Sequence, residues 1–263
     1  MDSGDQVERD RDDAGDQVDE VDPVDQLGHD LAAITRTVPY LTAAIDPPTT
    51  AGGSTGLAEA WIGCRRLIDE PAILGALFGT DPIEASLFTQ AYAFCVASVP
   101  LAGWVLHRRA VDPRPAHLAI RFTAARPWRP ARLGLVDPSL TPATVDGLVE
   151  QLVDGHLRPF VDAVRATTPV GERLLWGNAV TSMVVVLRAL ESGVDPARRL
   201  EVRADAEAVL AALPVDLDGL GSFVRRSSRP GDDWFWQRTT CCLWFKTPGG
   251  GYCDDCSMTP SDA

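Results

Sequence analysis

Cys241, Cys242, Cys253 and Cys256 place four of the chain's six cysteines in one short run. Thiolates are soft donors, and four of them brought together suit zinc or an iron–sulfur centre. The spacing is an adjacent pair, ten intervening residues, then a Cys-x-x-Cys pair. Pro248, Gly249, Gly250 and Gly251 make the intervening stretch a loop that can fold back and bring the two pairs together. Three chemistries compete for these sulfurs. The chain opens with acidic residues instead of a basic start and an apolar core, so no signal peptide is expected, and disulfides suit a reducing compartment poorly. Zinc draws its ligands from two Cys-x(2–4)-Cys knuckles, and Cys253–Cys256 is one. Cys241–Cys242 is not, because neighbouring side chains diverge and reach one tetrahedral ion only with strain. A two-iron cluster offers two irons, so adjacent thiolates need not share one, and this favours the cluster.

Such a centre, with two sulfides and four thiolates, carries a charge of about −2 when oxidised and about −3 after taking one electron. Asp254 and Asp255 add negative charge beside it, which disfavours reduction, and Arg238 and Lys246 oppose them. Trp234, Phe235, Trp236, Trp244, Phe245 and Tyr252 surround the run and could screen it from water.

The pattern C-C-x10-C-x2-C resembles that of the FhuF-like ferric siderophore reductases. Two further stretches support the resemblance: Leu174-Leu175-Trp176-Gly177-Asn178-Ala179 is similar to the family's L-W-G-N-A segment, and His156-Leu157-Arg158-Pro159 to its H-L-x-P. Together they cover roughly residues 90–260. The resemblance implies that Cys241, Cys242, Cys253 and Cys256 hold a [2Fe–2S] cluster. It also implies one-electron reduction of a ferric siderophore, with release of the iron in the cytoplasm. Candidate substrate-binding residues are His156, Trp176 and Asn178, with Arg121 and Arg126 from the basic stretch described below. Structural roles compete for each of these: a cap or loop contact for His156, close packing around Trp176 and Gly177, and a satisfied buried amide for Asn178.

The elements that must position these residues read as mostly helical. Residues 1–26 are acidic and nearly free of large apolar groups, so they should form a disordered tail. Leu27, Leu31, Ile34, Val38, Leu41 and Ile45 recur at helical spacing, with Pro39 kinking or dividing the run. Residues 56–69 read as a second helix, with Cys64 at a core position. Thr80-Asp81-Pro82 starts a helix running to about Ala97, with Cys95 facing inward, Pro100 breaking or kinking the run, and 101–109 forming a further turn or two. His117–Phe122 alternates like a strand and 132–136 could be its antiparallel partner. Arg108, Arg109, Arg114, Arg121, Arg126, Arg129 and Arg132 face only Asp112 within that span, a cluster that could guide an anionic chelate or an acidic partner. A solvated face with scattered ion pairs is the plainer reading. Helices are expected from Thr141-Pro142, from Thr168-Pro169, and over 196–213. Residues 217–225 could form a short helix, and 226–240 should be irregular.

The net charge of −13 argues against nucleic acid as a partner. No apolar run reaches the roughly 18 residues of a membrane span. No G-x-G-x-x-G follows a strand, so a ferredoxin-like or flavoprotein carrier is the expected electron donor. The expected fold is α+β, dominated by helices, with a small antiparallel sheet and a C-terminal iron–sulfur lobe. The expected division is a tail (1–26), a helix-rich body (27–230) and a cluster-binding segment (231–263). Two other functions remain open: a non-catalytic binding protein with structural zinc, and a [2Fe–2S] electron relay or iron sensor.

Overall fold

The computed structural model describes residues 23–39, 43–48, 60–123, 129–225 and 234–258. Helix α1 (Pro23–Thr37) begins inside the segment read as tail; residues 1–22 lie outside the described residues. It stops before Pro39, and Ala43–Ile45 is a strand, β1, where the helical pattern was expected to continue. A short strand, β2 (Trp61–Gly63), and helix α2 (Cys64–Asp69) replace the single helix read over 56–69. Helix α3 (Pro71–Phe78) follows.

Helix α4 (Pro82–His107) begins where the sequence reading put it: the Asp81 carboxylate accepts from the Ile83 N–H at 2.8 Å, with proline in the first turn. It does not break at Pro100. Every residue from Val96 to Val105 is buried, and their burial outweighs the backbone hydrogen bond that the proline removes. Strand β3 (Arg109–Val111) leads to β4 (Leu118–Phe122) and β5 (Pro130–Leu135). The last two are the expected antiparallel pair, with Ile120 opposite Leu133. Strand β6 (Leu140–Pro142) pairs with β3 and takes the place of the helix start read at Thr141-Pro142. Helix α5 (Val145–Leu152) starts after it, capped by the Thr144 hydroxyl on Gly147 N at 3.2 Å. One π-helical turn, Val153–Leu157, joins it to α6 (Arg158–Thr167). Then come α7 (Glu172–Gly193), α8 (Arg199–Ala211), β7 (Gly221–Val224) and β8 (Phe235–Arg238).

The main sheet runs β1-β5-β4-β2; only its β1–β5 edge is parallel. Two small antiparallel pairs, β3–β6 and β7–β8, complete the sheet structure among the described residues, in an otherwise helical α+β fold. The β7–β8 hairpin stands where a short helix and irregular chain were expected. Gly221 permits it, since a Cβ there would come within 2.3 Å of the Trp236 ring.

The core is built on α4 and α7, which pack side by side. Each is long and apolar enough to cross a membrane by composition, yet 72% and 78% of their apolar windows are buried inside this fold. Those faces are occupied by protein. A continuous aromatic stack, Phe122–Phe88–Phe160–Tyr92, fills the space between α4, α6 and the main sheet.

Candidate metal centre

The loop between the cysteine pairs does fold back. Leu243 takes a left-handed conformation, a 3-10 turn spans Trp244–Lys246, and Gly249 sits at φ 74°. The Gly250 N–H then donates to the Thr247 carbonyl at 2.9 Å. Only glycine fits at 250, because a Cβ would lie 2.0 Å from the Trp244 carbonyl oxygen. As a result Cys242 Sγ and Cys253 Sγ approach to 3.1 Å. The second pair is closed by the Cys256 N–H donating to the Cys253 carbonyl at 3.1 Å. Gln237 of β8 holds that knuckle from below, donating to the Asp255 and Cys256 carbonyls at 3.3 and 3.1 Å.

The environment supplies donors to the sulfurs, while burial opposes the thiolate form. Backbone N–H groups point at three sulfurs: Leu243 N at Cys241 Sγ, Met258 N at Cys256 Sγ, both at 3.4 Å, and Trp244 N at Cys242. Such donors stabilise sulfur-centred charge and tune a cluster's potential. The shared proton of the close pair pulls Cys242 down to about 6 and pushes Cys253 up. Burial raises Cys241. The positive charge of Arg238 favours the thiolate form at Cys241, Cys242 and Cys253 alike. Among the described residues no three His, Cys, Asp or Glu side chains converge on a single metal-ion position. A two-iron centre does not require that convergence. Cys64 lies in the core and Cys95 on α4, in the wall of the cleft beside the cysteine loop, and burial pushes both thiols up to about 12.

The lobe is fastened to the helical body by one polar network. Arg238, only 1% exposed, donates from Nη2 to Asn178 Oδ1 at 2.6 Å and to the Gly177 carbonyl at 3.3 Å. Asn178 Nδ2 donates to Ser86 Oγ at 2.8 Å, and Ser86 Oγ donates to the Cys242 carbonyl at 2.7 Å. Helices α4 and α7 thus grip both ends of the strand-to-cysteine segment. Gly177 lets the lobe come close, since a Cβ on it would meet Thr240 Oγ1 at 1.8 Å.

A cleft of about 1260 Å³ opens beside the sulfurs. Cys242 and Cys253 stand in its wall, with Trp244 and Tyr252 on the loop side. Leu87, Phe94, Val184 and Val185 from α4 and α7 form the opposite, apolar side. Arg129, Glu84, Arg188, Asp254 and Asp255 supply its charged groups, and Arg129 pairs with Glu84 at 2.7 Å. Trp244 and Tyr252 are 42% and 56% exposed, so they flank the opening; Trp236 is buried, its indole N–H on Thr181 Oγ1 at 3.1 Å.

Most of the candidate substrate-binding residues lie outside the cleft wall. His156 is fully buried at the π-helical turn, between the Tyr92 hydroxyl at 2.7 Å and the Pro113 carbonyl, away from the cleft. Trp176 is buried on α7 with Arg158 over its ring at 5.2 Å, and it does not line the cleft. Asn178 is fully buried and satisfied inside the network, so it reaches the lobe and does not line the cleft. Arg121 lies on β4 opposite Trp61 and Arg132 and is absent from the cleft wall. Arg126 lies outside the described residues. The arginine stretch has partners from distant parts of the chain: Arg108 pairs with Asp205 and Glu201, Arg129 with Glu84. Ser86 was missed, because a serine in the second turn of an apolar helix carries no pattern of its own.

Neutral His156 makes a testable contribution to stability. Burial lowers its pKa from 6.5 to about 4, against the hydrogen bond to Pro113 that favours the charged ring. Between those values the unfolded chain binds more protons than the native one. Stability from this residue is therefore complete above pH 6.5 and is lost as the pH falls toward 4. The full effect is about 3 kcal/mol. Urea titrations of a His156→Gln protein should give a flatter stability–pH profile across that window. A profile parallel to the parent's would assign the acid loss to other groups.

Residues 238–256 match the model of the FhuF 2Fe-2S C-terminal domain. No curated protein matches the chain. The match spans Arg238, all four clustered cysteines and the folded-back loop. The C-terminal segment of this chain is thus a FhuF-type [2Fe–2S] domain, carried on a helix-dominated body.

Proposed function

We propose that the protein reduces a ferric siderophore by one electron, with Cys241, Cys242, Cys253 and Cys256 as the cluster's ligands and the adjoining cleft as the chelate's seat. The observation that carries this reading is the presence of two of the four sulfurs, Cys242 and Cys253, in the wall of the large cleft. A bound cluster would supply single electrons. Hard oxygen donors hold Fe(III) far more tightly than Fe(II), so one electron added to the ferric chelate releases the iron. Leu87, Phe94 and Val185 offer an apolar bed for the chelate's organic periphery, and Arg129 and Arg188 offer donors to its oxygens. A ferredoxin-like or flavoprotein carrier would return the electron, and the reaction would take place in the cytoplasm.

Anaerobic protein with a reduced carrier should turn over ferric hydroxamate well above the rate of the carrier alone. A rate equal to that of the carrier alone would refute the proposal. The cleft's role has its own test. Val185 is 41% exposed and lines the cleft, so tryptophan can be accommodated there without disturbing the core. Val185→Trp should lower kcat/KM for the chelate by about tenfold or more while the cluster's absorbance stays unchanged. Unchanged kinetics would place the chelate elsewhere.

A further inference from the structure

Arg238 is a full positive charge buried in the join between the lobe and the helical body. One of its terminal nitrogens, Nη2, is satisfied by Asn178 and Gly177. Its Nε and Nη1 have no hydrogen-bond partner. The nearest carboxylate pairing, Nε to Asp255 Oδ2, is 3.9 Å long, beyond hydrogen-bond reach. A buried guanidinium left in this condition is strongly unfavourable unless negative charge lies close by. Asp255 offsets part of it through that longer ion pair, and the thiolates of Cys241, Cys242 and Cys253, each favoured by the Arg238 charge, supply the rest. Arg238 immediately precedes the Thr239-Thr240-Cys241-Cys242 turn, and its backbone N–H reaches the Asp255 carbonyl between the last two cysteines at 3.4 Å.

We propose that Arg238 is the buried counter-charge of the cluster, locked in place by Asn178, and that it makes the centre easier to reduce. The sign follows from charge alone. Reduction takes the centre from about −2 to about −3, so a fixed positive charge nearby stabilises the reduced form more than the oxidised one. Asn178 sets the direction: its carbonyl oxygen accepts from the guanidinium, while its amide donates to Ser86, whose hydroxyl holds the Cys242 carbonyl. The same four residues therefore fix both the charge and a cysteine-bearing backbone segment relative to each other. The inference rests on the [2Fe–2S] assignment of residues 238–256 and not on which chelate is reduced.

The test is an anaerobic dye-mediated redox titration of the full-length, cluster-loaded protein, followed by absorbance and by the paramagnetic signal of the reduced centre. In Arg238→Gln the equilibrium constant for reduction should fall by about tenfold or more, equivalent to 59 mV for one electron. Arg238→Lys, which keeps the charge, should stay within about threefold of the parent. Asn178→Asp sets a carboxylate against the guanidinium without removing it, and should lower the constant in the same direction as Arg238→Gln. Loaded Gln and Asp variants within about threefold of the parent would overturn the proposal, as would a Lys variant that falls as far as Gln. If neither neutralised variant takes up a cluster, iron and sulfide uptake by Arg238→Lys decides: retained uptake assigns the requirement to charge, and lost uptake overturns it. A colourless parent protein would overturn the cluster assignment itself, a result distinct from an unchanged potential in a loaded variant.

Discussion

A Cys242→Ser protein, prepared without oxygen, is expected to emerge nearly colourless, with iron and labile sulfide below about a tenth of the parent's. Cys242 is the sulfur with the most support from the fold. It is 3% exposed, lies 3.1 Å from Cys253 Sγ, and is reached by the Trp244 N–H. Its thiol is already drawn down to about 6, so thiolate is available near neutral pH. A serine hydroxyl keeps the size of the group but is a much harder donor and stays protonated. Cys95→Ser and Cys64→Ser are the controls. Cys64 is buried in the core and Cys95 stands on the α4 side of the cleft; burial pushes both thiols up to about 12, and both proteins should keep the parent's colour. Iron analysis and an absorbance spectrum check the set. A Cys242→Ser protein with undiminished iron would remove this sulfur from the ligand set.

The second large effect comes from a position with no chemistry of its own. Gly177→Val should cost about 3 kcal/mol and lower Tm by roughly 6–12 °C. A Cβ at 177 would fall 1.8 Å from Thr240 Oγ1, 2.8 Å from its Cβ and 2.9 Å from its Cγ2. Rotating the threonine can move Oγ1 and Cγ2 but leaves its Cβ in place, so the backbone of α7 or of the lobe must shift. That shift also stretches the Arg238 bonds to Asn178 and Gly177, which begin at the same turn of helix. Thr240→Gly in the same chain removes all three obstructing atoms and should restore at least half of the loss. The coupling energy of this double-mutant cycle should be roughly 1–3 kcal/mol. Additive losses would mean that Gly177 matters for helix geometry alone.

The cofactor segment was legible because its signal is local. Four cysteines, a Pro-Gly-Gly-Gly loop and their spacing describe a folded-back turn without reference to the rest of the chain. The α4 start was legible for the same reason: Asp81 and Pro82 act within one turn. What failed were inferences that needed a partner from afar. Pro100 looked like a break or a kink because its own backbone deficit is local, whereas the burial that carries the helix through it comes from α7 and the strands packed on α4. Asn178 read as a polar group in need of a partner, and that was correct. The partner is a guanidinium 60 residues downstream, and no periodicity points to it. His156 stood out by residue type and proved to be an interior hydrogen-bonding group. The cleft itself was invisible, because its wall is assembled from α4, α7, the start of β5 and the cysteine loop.

Of the four sulfurs, Cys242 and Cys253 face the cleft, whereas Cys241 is half-buried and lies outside its wall. Under the proposed function this gives the centre a loading side and a delivery side. The carrier need not evict the chelate to recharge the protein, and the two can be held at once. Steady-state kinetics would then follow a ternary-complex pattern, with intersecting double-reciprocal lines, in place of the parallel lines of a shared docking face.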